Sequence, residues 1–157
     1  MSKFQLKNLL KAAYDLMLVF LQFLIISLHF FQWEFLPQKQ IIQSSPFSYL
    51  LGILIIIIAF IIMLVSIKDL GRNLSPFPRP INNSSLVTTG IYGFTRHPMY
   101  YSLIFISIGV FIIKLSIYYL ILTISLALII KFKIALEEKY LINKFKNYLL
   151  YKNEVKV

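Results

Sequence analysis

Four long apolar runs, separated by short polar segments, dominate the pattern of this 157-residue chain; they cover residues 16–35, 47–67, 99–113 and 115–130. A helix needs about 20 apolar residues to cross the hydrocarbon of a bilayer. The first two runs meet that length, whereas each of the last two would form a helix of only about 23 Å. Lys114 alone separates these two, which predicts a tight helical hairpin. We therefore expect an all-α integral membrane protein with about four transmembrane helices in a single domain.

Two polar segments flank the predicted hairpin. Residues 68–98 form the longer one, in which residues 73–80 are punctuated by prolines and should be extended, because proline resists helix and restricts its predecessor. After residue 130 the chain becomes amphipathic, with one helical face formed at four-residue spacing by Glu137, Leu141, Phe145 and Leu149. This pattern predicts either a fourth helix that continues beyond the membrane or a separate helix on the membrane surface.

Composition supports a membrane protein and excludes several kinds of site. Hydrophobic residues make up 59% of the chain and charged residues 14%, far from the balance of a soluble domain. The absence of cysteine excludes disulfides, thiolate zinc sites and cysteine nucleophiles. The two histidines are far apart in sequence, so no metal site is expected. Lysines precede the first apolar run without a small-residue cleavage site after it, and we expect that run to be a retained span.

The distribution of basic residues predicts the orientation. Of the sixteen lysines and arginines, all but Lys39 and Lys114 fall on one side of a four-span model. Because positive loops stay in the cytoplasm, both termini and the loop at residues 68–98 should be cytoplasmic. We expect an integral protein of the bacterial inner membrane whose net charge of +10 serves orientation and contact with anionic lipids. No recognition motif accompanies these charges, so nucleic acid is not an expected partner.

Two short polar clusters beside the apolar runs contain the candidate functional residues. The first is Arg96-His97-Pro98, and the second is Glu137-Glu138. Pro98 is suited to open the third helix, and the free N–H groups after it would form an anion socket reinforced by Arg96. Because a hairpin brings the start of its first helix near the end of its second, a carboxylate should face that socket. Such a site suits a zwitterionic or cationic small molecule at the membrane edge.

Several motifs resemble the isoprenylcysteine carboxyl methyltransferase family in order and spacing. They are Leu70-Gly-Arg-Asn-Leu-Ser, Leu86-Val-Thr-Thr-Gly-Ile-Tyr92, Arg96-His-Pro-Met-Tyr100 and Glu137-Glu138-Lys-Tyr-Leu141. The resemblance covers residue 68 to the C-terminus and implies S-adenosylmethionine as the cofactor. It also implies cofactor contacts from Leu86, Val87, Tyr92, His97, Pro98, Met99, Tyr100 and Glu137. Lys133 stands where the family has a basic residue associated with the substrate carboxylate.

Methyl transfer from a sulfonium requires mainly positioning and exclusion of water. We expect Arg96 and Glu137 to be the catalytic residues, with Arg96 and Lys133 binding the substrate. The expected acceptor is lipophilic, membrane-associated or lipidated, and carries a carboxylate or a thiol. An amine acceptor would first have to lose a proton.

Two other functions and a structural interpretation stay open. The first is a phospholipid N-methyltransferase or another related membrane enzyme, and the second is a non-enzymatic membrane protein of the same fold. On the structural interpretation, Arg96 extends to the lipid headgroups and Lys133 belongs to the cytoplasmic positive charges. We assign no role to His29 or Glu34.

The orientation is testable. Reporter fusions or cysteine labelling at Lys39 and at the C-terminus should place these two sites on opposite sides of the membrane, because an even number of spans and the positive charges predict a cytoplasmic C-terminus. Detection of both sites on the same side would contradict the four-span model.

Overall fold

The computed structural model describes residues 2–30, 40–41 and 43–156, apart from the side chains of residues 3 and 4. Helices account for most of these residues: α1 Lys3–Phe30, α2 Pro46–Leu70, α3 Pro98–Lys114, α4 Ile117–Lys144 and α5 Tyr148–Glu154. The same part of the chain contains no strand, only an isolated bridge between Gln40 and Ser116. The prediction of an all-α fold is therefore confirmed.

Three helices, α1, α2 and α4, are long and apolar enough to cross a membrane, and α3 is a shorter apolar helix of 17 residues. The chain is an integral membrane protein. The second predicted span agrees closely with α2. Residues 16–30 of the first predicted span belong to α1, which begins earlier, at Lys3. Residues 31–35 of that prediction lie outside the described residues.

The start and the end of α2 follow from local sequence. Ser45 caps the helix, because its side chain accepts a hydrogen bond from the Ser48 backbone while the Ser48 side chain accepts one from the Ser45 backbone. This reciprocal arrangement satisfies two backbone N–H groups that the first turn would leave unpaired. Pro46 occupies the first turn, where its missing N–H costs nothing. Gly71 ends the helix at a φ of 52°, a conformation that favours glycine.

Glycines bring α2 and α3 into close antiparallel contact. A Cβ atom on Gly109 would lie 2.6 Å from Ile56 Cγ1 and 2.8 Å from the Gly52 carbonyl oxygen. A Cβ atom on Gly52 would lie 2.7 Å from the Gly109 carbonyl oxygen. Since lipid is as apolar as leucine, helices in a membrane associate through such close packing rather than through a hydrophobic effect.

The predicted hairpin is present, with a short turn between its two helices. Leu115 adopts a left-handed conformation at φ 44° between α3 and α4. The fourth span was predicted to end at residue 130, but α4 continues without a break to Lys144. Its 28 residues give a length of about 42 Å, which exceeds the hydrocarbon thickness. The helix therefore carries its polar end beyond the membrane, which is the first of the two alternatives for residues 131–144. Of the predicted face, Phe145 follows the end of α4 and Leu149 belongs to α5.

Polar contacts hold α1 antiparallel to α4 and fasten it to α3. The Tyr118 hydroxyl donates to the Leu28 carbonyl at 3.0 Å. His29 Nε2 lies 2.7 Å from Ser107 Oγ, which in turn lies 2.8 Å from Thr123 Oγ1. Hydrogen bonds of this kind join helices where no water is present to compete. The starts of α1 and α3 and the ends of α2 and α4 consequently meet at one end of the bundle, here called the site end.

Gly109→Ala should destabilise the protein by about 1–3 kcal/mol, the usual cost of overpacking, because the new methyl group has no room against α2. Thermal unfolding in detergent would measure the loss. Phe105→Ala is the matched control on α3, since Phe105 is half exposed to the surroundings. Equal stability of Gly109→Ala and the natural protein would contradict the close glycine contact.

Candidate active site

A pocket lies at the site end, between the loop that joins α2 to α3 and the polar ends of α4 and α5. The loop contributes one wall, including Phe77, Pro78 and Ser84, and α4 and α5 contribute Leu141 and Tyr148. The loop follows its proline-rich sequence and stays outside regular α-helix between residues 74 and 97. Residues 74–80 of the proline-punctuated segment are non-helical, as predicted, whereas Gly71–Asn73 and Gly90–Gly93 form short 3-10 helices.

The structure brings most of the sequence-predicted site residues to this pocket. Those lining it are Leu86, Val87, Tyr92, Arg96, His97, Met99, Tyr100 and Glu137. Pro98 and Lys133 are buried but lie outside the lining. The binding and catalytic roles predicted for all of these residues stay predictions. In the described part of the chain, no group of three or more His, Cys, Asp or Glu side chains could hold a metal ion.

Glu137 joins α4 to α3 inside the pocket. The Tyr100 hydroxyl donates a hydrogen bond of 2.7 Å to Glu137 Oε2. The Tyr100 ring in turn stacks against His97, with ring centroids 5.7 Å apart. The expected juxtaposition of the start of α3 and the end of α4 is thus present, and it places a buried carboxylate beside the histidine.

Glu138 is the centre of a second, larger cluster. Its Oε1 accepts hydrogen bonds from Arg96 Nε at 3.0 Å and Nη2 at 2.8 Å, and its Oε2 accepts one from Lys152 Nζ at 2.5 Å. Arg96 Nη1 donates to the carbonyls of Lys152 and Val155 at the end of α5. Helix ends leave such carbonyls without partners inside the helix, so Arg96 fastens α5 to α4. Sequence reasoning gave Glu138 little weight and did not pair it with Arg96.

The expected anion socket at the start of α3 is not formed. Pro98 opens α3 as predicted, but the N–H groups of Tyr100 and Tyr101 both donate to the His97 carbonyl, at 3.1 and 3.2 Å. Proline has no N–H, so Met99 alone of these first residues keeps a donor outside these bonds. The charge of Arg96 is likewise directed to Glu138 rather than to an open socket.

Lys133 is almost completely buried, at 1% exposure, one helical turn before Glu137. Its ammonium donates to Gln22 Oε1 of α1 and, at 3.0 Å, to the Pro76 carbonyl of the loop. It also lies 5.2 Å from the centre of the Tyr100 ring, within the range of a cation–π contact. Lys133 therefore joins α1, α3, α4 and the loop behind the pocket wall.

Two further cations hold the proline-rich loop in place, and sequence reasoning missed both contacts. Arg79 forms a salt bridge of 3.0 Å with Asp15 of α1, whose carboxylate also accepts from the Tyr140 hydroxyl at 3.2 Å. Lys144, at the end of α4, donates to the carbonyls of Ile81 and Asn82 and to Ser84 Oγ. An acidic residue just before the first apolar run was the available signal for the first contact.

Gly90 and Asp69 shape the turn that presents Tyr92. The Asp69 side chain accepts a hydrogen bond of 2.9 Å from the Ile91 N–H. Gly90 has a φ of 61°, and a Cβ atom there would lie 2.1 Å from Asp69 Oδ2, so only glycine fits. The Tyr151 hydroxyl donates to the Tyr92 carbonyl at 2.7 Å. Burial, together with the nearby Glu137 carboxylate, raises the pKa of Tyr92, which keeps its phenol neutral at physiological pH.

The chain matches a known protein family. A model of the phospholipid methyltransferase family matches residues 47–148, which include α2, the loop, α3 and α4. The chain belongs to that family. No curated protein matches the chain. The predicted isoprenylcysteine carboxyl methyltransferase subtype is not confirmed, but both families belong to one group of integral membrane methyltransferases, so the class of enzyme is confirmed.

Glu138→Gln should destabilise the protein by about 3 kcal/mol, because it leaves the buried Arg96 guanidinium without its counter-charge. The end of α5 should also detach, which limited proteolysis would detect as faster cleavage near the C-terminus. Glu154→Gln is the control, since Glu154 is an exposed glutamate on α5, the helix that the cluster fastens. If Glu138→Gln were as stable and as protease-resistant as Glu154→Gln, the cluster would not fasten α5.

Proposed function

We propose that this membrane methyltransferase transfers the methyl group of S-adenosylmethionine to the amine of a phospholipid headgroup. The match to the phospholipid methyltransferase family supports a lipid acceptor. The observation that carries the proposal is the pairing of charges around the pocket. Arg96 and Lys133, the two cations expected to bind an anionic acceptor, are committed to protein partners, whereas Glu137 presents its carboxylate in the pocket beside His97.

The pocket residues fit the proposed cofactor. His97 Nε2 is buried and has no hydrogen-bond partner in the protein, although it lies 3.5 Å from Glu138 Oε1. A polar atom of this kind usually receives its partner from a ligand or from water. Glu137 could accept hydrogen bonds from hydroxyl or amino groups of the cofactor, which are stronger for being charge-assisted. Leu86, Val87 and Met99 line the same pocket and would offer apolar surface to the cofactor.

The charge pairing favours an amine over a carboxylate. Arg96 and Lys133 were the expected contacts of an anionic acceptor. Arg96 donates from all three of its nitrogens to Glu138 and to α5, and Lys133 lies behind the wall with two oxygen partners. To bind a substrate carboxylate, either cation would have to give up buried contacts, which is costly. We assign Arg96 and Lys133 as positioning residues, which differs from their expected substrate-binding roles.

The chemistry follows from this arrangement. When bound, the cofactor would supply a methyl group on a sulfonium; the new N–C bond replaces the S–C bond, and neutral S-adenosylhomocysteine leaves. An ammonium headgroup would be attracted by the Glu137 carboxylate, and it must lose one proton before its lone pair can attack. His97 Nε2 and the Glu137 carboxylate are the groups in the pocket that can take that proton. The loop held by Arg79, Lys133 and Lys144 would exclude water, and the lipid tails would stay in the bilayer.

A carboxylate or thiol acceptor, as in the isoprenylcysteine subtype, is the rival function. It is favoured by the Arg96-His97-Pro98-x-Tyr100 and Glu137-Glu138 motifs, which resemble that family, and by the position of Arg96 in the pocket lining. The two proposals differ in the product. An N-methylated phospholipid amine keeps its label in alkali, a methyl ester releases it as methanol, and an S-methyl thioether keeps it on a molecule other than the phospholipid.

Purified protein should be incubated with methyl-labelled S-adenosylmethionine and vesicles that contain either phosphatidylethanolamine or an S-farnesylcysteine derivative. We expect alkali-stable label in the headgroup of the phospholipid. Glu137→Gln should remove most of this labelling and weaken cofactor binding by about 1.5–3 kcal/mol, the scale of a hydrogen bond to a charged group. Calorimetry with S-adenosylhomocysteine would measure the binding.

Three results would contradict the proposal. Alkali-labile label on the farnesylcysteine derivative alone would favour the rival function. Absence of cofactor binding by the natural protein would exclude both. Unchanged cofactor affinity in Glu137→Gln, with Glu154→Gln as the control for a lost surface charge, would place the site elsewhere.

A further inference from the structure

Unpaired polar atoms in the protein interior identify where a ligand completes the structure. Four buried side-chain atoms in the described residues have no hydrogen-bond partner: Thr95 Oγ1, His97 Nε2, Ser116 Oγ and the Tyr148 hydroxyl oxygen. Only His97 and Tyr148 among these residues line the pocket. His97 was already expected to contact the cofactor, whereas Tyr148 was given no role.

Tyr148 is a buried residue of the pocket lining. It begins α5, it is 1% exposed, and its ring packs edge-on against Tyr151 with centroids 5.9 Å apart. Phenylalanine would provide the same packing without burying a hydroxyl. An unpaired hydroxyl in such a position is costly unless something else bonds to it.

The surroundings of the hydroxyl define what it can do. Burial and the nearby Glu138 carboxylate raise the pKa of Tyr148, against the opposing effect of Arg96. The phenol therefore stays protonated at physiological pH and can donate a hydrogen bond. The Glu137 carboxylate raises the pKa of Tyr148 as well.

We propose that the Tyr148 hydroxyl donates a hydrogen bond to the cofactor in the pocket, which makes Tyr148 a binding residue alongside His97. This inference rests on the proposed function, because it requires S-adenosylmethionine or its product to occupy the pocket. It also gives α5 a purpose beyond packing: the Arg96–Glu138–Lys152 cluster fixes the helix that carries this donor.

The test is Tyr148→Phe, which removes the hydroxyl and keeps the ring. Calorimetry of the full-length protein in detergent, with S-adenosylhomocysteine as the probe, should show binding about tenfold weaker, as for one lost hydrogen bond. Thermal unfolding without ligand should show an unchanged or higher melting temperature, because the variant removes an unpaired buried polar atom. If the hydroxyl had only a structural role, Tyr148→Phe would leave the affinity unchanged and lower the melting temperature.

Tyr118→Phe is the matched control, since its hydroxyl bonds to the Leu28 carbonyl far from the pocket. It should lower the melting temperature and leave the affinity for S-adenosylhomocysteine unchanged. Unchanged affinity in Tyr148→Phe, or a fall in its ligand-free melting temperature as large as that of Tyr118→Phe, would overturn the inference. If the natural protein bound no S-adenosylhomocysteine, the proposed function would fail and this inference with it.

Discussion

The site depends on the carboxylate of Glu138, which is shared by Arg96 from the start of α3 and Lys152 from α5. The loop before α3 contains no α-helix between residues 74 and 97, and α5 has only seven residues. Helices as short as α5 are only marginally stable without tertiary contacts. Because charges at the edge of a membrane are costly when unpaired, the mutual pairing of these groups holds the walls of the pocket in one arrangement.

The contacts between helices differ along the bundle, because the bilayer surrounds only its apolar part. Within the apolar region, helices meet through small residues and a few internal hydrogen bonds, as at Gly52 and Gly109 and at His29 and Ser107. At the site end, cations and carboxylates from α1, α4 and the loop pair with one another. Since water cannot satisfy these groups inside the hydrocarbon, they gather where the chain leaves it. The pocket lies at that transition, where a polar cofactor and a lipid could both reach it.

The pairing also separates positioning from chemistry in the proposed function. Arg79, Lys133 and Lys144 each bind carbonyl or carboxylate oxygens that fasten the loop. Arg96 does the same for α5. Glu137, His97 and Tyr148 line the pocket, and His97 Nε2 and the Tyr148 hydroxyl have no hydrogen-bond partner in the protein. A methyl transfer requires mainly alignment of the reactants and exclusion of water. Paired charges that fix the walls around a few polar binding groups meet that requirement.

The sequence alone determined the helical class, the second span, the hairpin at Lys114 and the cluster of residues around the pocket, because long apolar runs and spaced motifs are local signals. It could not determine that α4 is continuous to Lys144, since an amphipathic segment is compatible with either a continued or a separate helix. The partners of Arg96, Lys133 and Arg79 lie 42 or more residues away in the sequence. The hydroxyl of Tyr148 is identified by its lack of a hydrogen-bond partner, which only the structure shows. Charge pairing over such distances depends on how the helices pack, and only the tertiary structure decides that.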